Sequence, residues 1–87
     1  MTSSYQHFSF KDRGAGVRKI REACGWSQQE LAIAAGISQS KISLFETGDQ
    51  DLSATAFQRV EDALIKARTI HQAELQKADE VLQQVSA

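Results

Sequence analysis

Proline is absent from the 87 residues, so no fixed φ and no missing backbone N–H interrupts a helix anywhere in the chain. Glycine occurs only at 14, 16, 25, 36 and 48, which leaves the last thirty-nine residues without either breaker. That distribution predicts an all-α fold. Cysteine is limited to Cys24. An internal disulfide is therefore excluded, and a lone thiol flanked by small residues suits packing in a reducing cytosol. No run approaches the roughly 20 apolar residues of a membrane span, and the opening MTSSYQHFSFKDR has no signal-type apolar core. The expectation is a cytoplasmic protein without membrane contact. His7, His71 and Cys24 have no partners at metal-ligand spacing, so neither a metal nor another cofactor is expected.

Hydrophobic residues make up 41% and charged residues 24%, within the globular range, and the length allows one modest core. The net charge of −1 hides an asymmetry. Residues 1–48 carry six basic and four acidic side chains, a balance of +2, and residues 49–87 carry four and seven, a balance of −3. A polyanionic partner would meet the first half.

Residues 1–13 place Tyr5, Phe8 and Phe10 among polar neighbours, consistent with an arm that anchors through its aromatics or with a free tail. A first helix is expected from Gly14 to Gly25, with Val17, Ile20 and Cys24 on its buried face; Arg18 faces outward and Arg21 turns partly inward. Ser27-Gln28-Gln29-Glu30 is a capping box, in which serine and glutamate satisfy two backbone N–H groups reciprocally. It opens a second helix with Leu31, Ala32 and Ala35 inside and Gly36 as the positive-φ stop. Ser38 caps a third, with Ile42 and Phe45 buried and Gln39, Ser40, Ser43 and Leu44 outward.

Ser53 caps a fourth helix. Its apolar series Phe57, Val60 and Leu64 finishes the core, and apolar or small residues continue beyond it at Ala67, Leu75, Ala78, Leu82 and Val85, with Ile70 and His71 at the gap assigned to the same interface. About 32 residues of helix would be roughly 48 Å long, more than so small a domain can cover. The segment 65–87 is expected to pair with a second copy, the alternative being a fold back onto its own domain. His71 would be a polar interruption that sets register, or a surface histidine.

Two motif matches do not survive inspection. Ser38-x-x-Lys41 has the spacing of a serine-hydrolase motif whose other parts are missing. Asp49-x-Asp51-x-Ser53 begins like a calcium loop, but the glycine and glutamate that such a loop needs are Ala54 and Val60 here. No nucleophile with a paired base exists, so catalysis is not expected.

From Gly14 to Leu64 the sequence resembles the Cro and phage-repressor type of DNA-binding domain, the xenobiotic-response-element family. The resemblance rests on Gln28, Leu31, Ala32, Gly36, Ile37, Ile42, Phe45, Glu46 and Gly48, with Val17, Ile20 and Arg21 upstream. Leu52 stands where the family often has proline, and the helix after Leu64 runs on where the family usually breaks. The resemblance implies a lambda-repressor-like helix-turn-helix bundle of four to five helices with its DNA-binding domain at 14–64; the arm at 1–13 and the extended C-terminal helix, a dimerisation segment at 65–87, lie outside it and rest on the residue pattern. It implies that helix 38–46 enters the major groove, which is wide enough to admit a helix. Gln39 would pair with adenine, Ser40 would bond a base edge and Leu44 would rest on a thymine methyl. Gln28 would brace Gln39 and touch phosphate, and Ser38, Lys41, Ser43, Thr47 and Arg18 would contact the DNA backbone. Arg21 and Glu46 would form a partly buried ion pair. The implied function is a homodimeric repressor occluding a promoter at a palindromic operator on double-stranded DNA. A second reading is an antitoxin or other interaction module, in which the long helix or the aromatic arm docks a protein partner.

Overall fold

A computed structural model describes residues 10–86 and contains four helices: α1 (Phe10–Ala23), α2 (Gln28–Ala35), α3 (Gln39–Thr47) and α4 (Ala54–Ser86). The aromatic arm's Tyr5 and Phe8, and His7, lie outside the described residues. No described helix is long and apolar enough to cross a membrane.

The starts of α2 and α3 follow from side-chain caps. Ser27 Oγ accepts from the Glu30 N–H at 3.0 Å, and Glu30 Oε1 accepts from the Ser27 N–H at 2.9 Å. Ser38 Oγ accepts from the Lys41 N–H at 3.3 Å. Gly36, at φ 68°, closes α2 in the left-handed region that a side chain disfavours. The Ile37 N–H then bonds back to the Ala32 carbonyl at 3.0 Å, turning the chain directly into α3. Ser27→Ala removes one of these caps and should cost about 1 kcal/mol, read as a fall of about 4–8 °C in Tm by circular dichroism.

Phe45, Leu31, Ile42 and Val60 are completely enclosed and form the centre of the core, one or more from each of α2, α3 and α4. Fully burying such a side chain contributes about 1.5–3 kcal/mol. Phe57 meets Phe45 edge to face, with centroids 5.8 Å apart. Ala32 and Ala35 keep α2 close to its neighbours.

Two expectations about α1 are corrected. The helix starts at Phe10, not near Gly14, so the end of the expected arm is helical; Phe10 packs against the core and Asp12 sits in the first turn, where the helix dipole favours an acid. Its buried residues are Gly14, Val17 and Arg21. Ile20 is 46% exposed and Cys24 only half-buried, because a glycine contact and an ion pair to α3 rotate the helix away from the purely apolar face.

α4 is one unbroken helix of 33 residues, about 50 Å long. Val60, Ala63, Leu64 and Ala67 are buried against the domain. Beyond them the helix projects, and Ile70, Leu75, Leu82 (62%) and Val85 (78%) are exposed while His71 is half-buried. His71, Leu75, Ala78, Leu82 and Val85 follow one stripe; Ile70 lies about 100° around the helix from His71, towards Val81.

Candidate nucleic-acid interface

The exposed side of α3 begins at its capped N-terminus. Gln39, Ser40 and Leu44 are exposed and Ser43 is half-buried; together with Gln28 of α2 they line one shallow, open concavity. Residues 39, 40, 43 and 44 fall on one face because three- and four-residue steps nearly complete a turn. Polar groups and one aliphatic side chain are thus offered side by side to whatever meets this surface.

Behind the concavity, α3 is tied to α1 and α2 by a charged cluster. Arg21 Nε donates to Glu46 Oε2 at 2.7 Å and Arg21 Nη2 to Glu46 Oε1 at 2.9 Å, a bidentate pair with 7% and 6% of the residues exposed. Arg21 Nη1 donates to the Trp26 carbonyl at 2.7 Å, and Gln28 Nε2 to Glu46 Oε1 at 3.0 Å. The hydrogen bonds from Arg21 to the Glu46 carboxylate raise the guanidinium pKa above its already high ordinary value. Arg21 therefore stays charged at any working pH, and the cluster acts as a fixed brace.

Gln28 donates to Glu46 rather than to Gln39; the two glutamines share the concavity without the expected brace between them. The Gln28 amide retains a second N–H for an outside acceptor. Sequence reasoning missed this bond because nothing in the spacing of residues 28 and 46 signals it.

The expected backbone contacts occupy different settings. Lys41 is exposed in the first turn of α3, where the helix dipole disfavours a cation, and lines a small concavity with Gln50 and Asp51. Ser38 is exposed and engaged as the cap. Thr47 Oγ1 donates to Asp49 Oδ2 at 2.7 Å and lies 3.1 Å from the Leu44 carbonyl, so its hydroxyl serves the end of α3 beside a negative charge. Arg18, on α1, forms an exposed bridge to Glu22 at 3.5 Å, which is weak enough to be exchanged for another anion.

Gly14 went unremarked as a site-positioning residue in the sequence, where it served only as a helix start. A Cβ there would overlap the Phe45 carbonyl oxygen and sit 2.9 Å from its carbon, so α1 and α3 touch backbone to backbone. A glycine three residues before the buried Val17 is the signal available for it.

A capped helix, a glycine turn and a second capped helix with a polar outer face, braced by a first helix, are the arrangement of a DNA-reading unit. The family described as Helix-turn-helix domain matches residues 14–65. The chain belongs to that family. Its type is the Cro and repressor one, and the family is of DNA-binding regulators, a non-enzymatic kind of protein. The chain is 36% identical over 56 residues to an HTH-type transcriptional regulator of Mycobacterium tuberculosis, a match covering 64% of this chain and 22% of that protein. It is 30% identical over 70 residues to Antitoxin HipB of Escherichia coli, covering 80% of each. Among solved structures it is similar to the clp gene regulator ClgR from Corynebacterium glutamicum, with a TM-score of 0.55, 30% identity and 87% of each chain covered.

Proposed function

We propose that this helix-turn-helix protein is a homodimeric, cytoplasmic repressor that inserts α3 into the major groove at a palindromic operator and occludes a promoter. The observation that carries the reading is the single exposed surface of Gln39, Ser40, Ser43 and Leu44, presented on a helix that the buried Arg21–Glu46 pair holds rigid. Gln39 takes the role of bidentate partner for adenine, Ser40 that of a base-edge contact and Leu44 that of an apolar contact with thymine. Lys41, Ser38, Ser43, Gln28 and Arg18 hold phosphates, with Thr47 at the margin. The exposed stripe of His71, Leu75, Ala78, Leu82 and Val85, flanked by Ile70, pairs two copies so that two reading helices meet a two-fold site.

Selection from a random duplex pool should enrich a two-fold sequence; no enrichment over non-specific duplex overturns the reading. On the enriched site, Gln39→Ala should cost about 1–3 kcal/mol and relax the preference at one base pair. Lys41→Ala should instead weaken binding to all sequences and reduce the slope of log K against log salt by about 1.

The similarity to an antitoxin over 80% of both chains supports a second reading, in which a protein partner covers the exposed stripe of α4. Copurification of a protein that protects residues 65–87 would favour it. DNA reading by α3 is compatible with either, whereas a second copy and a protein partner would compete for the stripe of α4.

A further inference from the structure

Beside the core, α1 and α4 diverge and leave an apolar groove of about 750 Å³, lined by Gly16, Val17, Ile20, Phe57, Glu61 and Leu64 among others. It continues past Ile20 and Leu64 to Ile65 and Arg68, where the projecting half of α4 begins. Ile20 and Ile65 are exposed on its walls. The two glycines of α1 differ here. Gly14 is required by the contact with Phe45, whereas a Cβ on Gly16 would meet nothing within 4 Å. A helix interior disfavours glycine by about 1 kcal/mol relative to alanine, and nothing inside the described chain accounts for Gly16. Its missing side chain opens one wall of the groove.

The projecting stripe of α4 has a heptad arrangement that states how a second copy would meet it. One set of seam positions is Leu64, His71, Ala78 and Val85, and the other is Arg68, Leu75 and Leu82. A parallel pair stacks each position on itself. That would set Arg68 against Arg68 and Ala78 against Ala78, combining like-charge repulsion with an unfilled layer. An antiparallel pair matches the two sets instead. Leu82 then meets Leu64, Leu75 meets His71 and Arg68 meets the small Ala78, with a two-fold axis near Ala73. Arg68 also gains an acid, since Asp79 falls beside it in the same register.

We propose that the α1/α4 groove receives the C-terminal end of α4 from a second copy, so that the two long helices pair antiparallel and each tail covers the other subunit's Ile20, Leu64 and Ile65. The charges agree with this. Arg21 of α1 is buried on Glu46 and Arg13 is bridged to Asp51, so the exposed cation that the groove itself offers is Arg68 at its open end. Residues 69–86 carry one basic and three acidic side chains. The proposal rests on the two-fold pairing argued above and specifies its orientation and its receptor surface.

Crosslinking on the full chain in a Cys24→Ser background tests it. Ile20→Cys combined with Leu82→Cys should give a covalent dimer under a mild oxidant, whereas Leu82→Cys alone should not. Within one chain the two sites are too far apart, since Leu82 lies eighteen residues, about 27 Å, beyond Leu64 along α4. Gly16→Leu, placed in open space, should keep the helical circular dichroism and raise the dimer dissociation constant at least about tenfold, as a side chain filling the groove requires. Covalent dimer from Leu82→Cys alone would mean parallel tails and overturn the proposal while leaving the homodimer in place. An unchanged dissociation constant in Gly16→Leu would likewise remove the groove from the interface. A full chain that light scattering finds monomeric at every concentration overturns both the proposal and the homodimer.

Discussion

Arg21→Ala should lower the free energy of unfolding by about 3–5 kcal/mol, because it leaves the enclosed Glu46 carboxylate without its bidentate partner. A chain of 87 residues has roughly 4–13 kcal/mol in total, so the variant would be near the limit of folding. At about 4 °C or more per kcal/mol, Tm should fall by at least about 12 °C. The Trp26 carbonyl and the Gln28 amide lose their shared frame as well, so α2 and α3 loosen together. Replacing both partners, Arg21→Met with Glu46→Leu, should recover much of the loss, since a desolvated charge is then no longer stranded. A double-mutant cycle measured by thermal melting reads the coupling. Sequence preference of the folded fraction should be unchanged. Retained Tm with lost DNA binding would mean that Arg21 is a reading residue.

Gly14→Ala should destabilise by at least about 3 kcal/mol, the upper range of overpacking. Alanine is ordinarily the better helix former by about 1 kcal/mol, so helix propensity predicts the opposite sign. The local contact decides the outcome. The added methyl meets backbone, the Phe45 carbonyl and the Cα of Glu46 at 3.3 Å, and no side-chain rotation can relieve it. α1 and α3 must separate, which also stretches the 2.7 Å bond from Arg21 to Glu46. Chemical denaturation should show a lower midpoint with an unchanged slope. A gain in stability would show that α1 and α3 have room to spare.

The helical plan was readable where the signal is local. Ser27 with Glu30, Ser38 and Gly36 act on backbone groups within a few residues, and the structure places α2 and α3 between them. Leu31, Ala32, Ile42 and Phe45 repeat at helical spacing and are buried. The uninterrupted run after Ser53 is likewise one helix. The orientation of α1 was not readable in this way. Val17, Ile20 and Cys24 form a valid apolar series, yet Ile20 is exposed, because hydrophobic periodicity cannot weigh a buried ion pair and a glycine contact against one isoleucine.

For the nucleic-acid interface the division is similar. Residue types and helical spacing alone put Gln39, Ser40 and Leu44 on one outward face. The bond from Gln28 to Glu46 joins residues eighteen apart, and the groove beside Gly16 joins helices whose facing residues are more than forty apart.

By itself, then, the sequence determined α2, α3 and the unbroken run of α4, with their caps and their polar and apolar sides, because each depends on contacts within about one turn. Only the tertiary structure decided which side of α1 faces inward, why Gly14 has to be glycine, and that an open groove adjoins an unpartnered helical stripe. Those depend on the distance at which two helices cross, which is set jointly by side chains far apart in the chain.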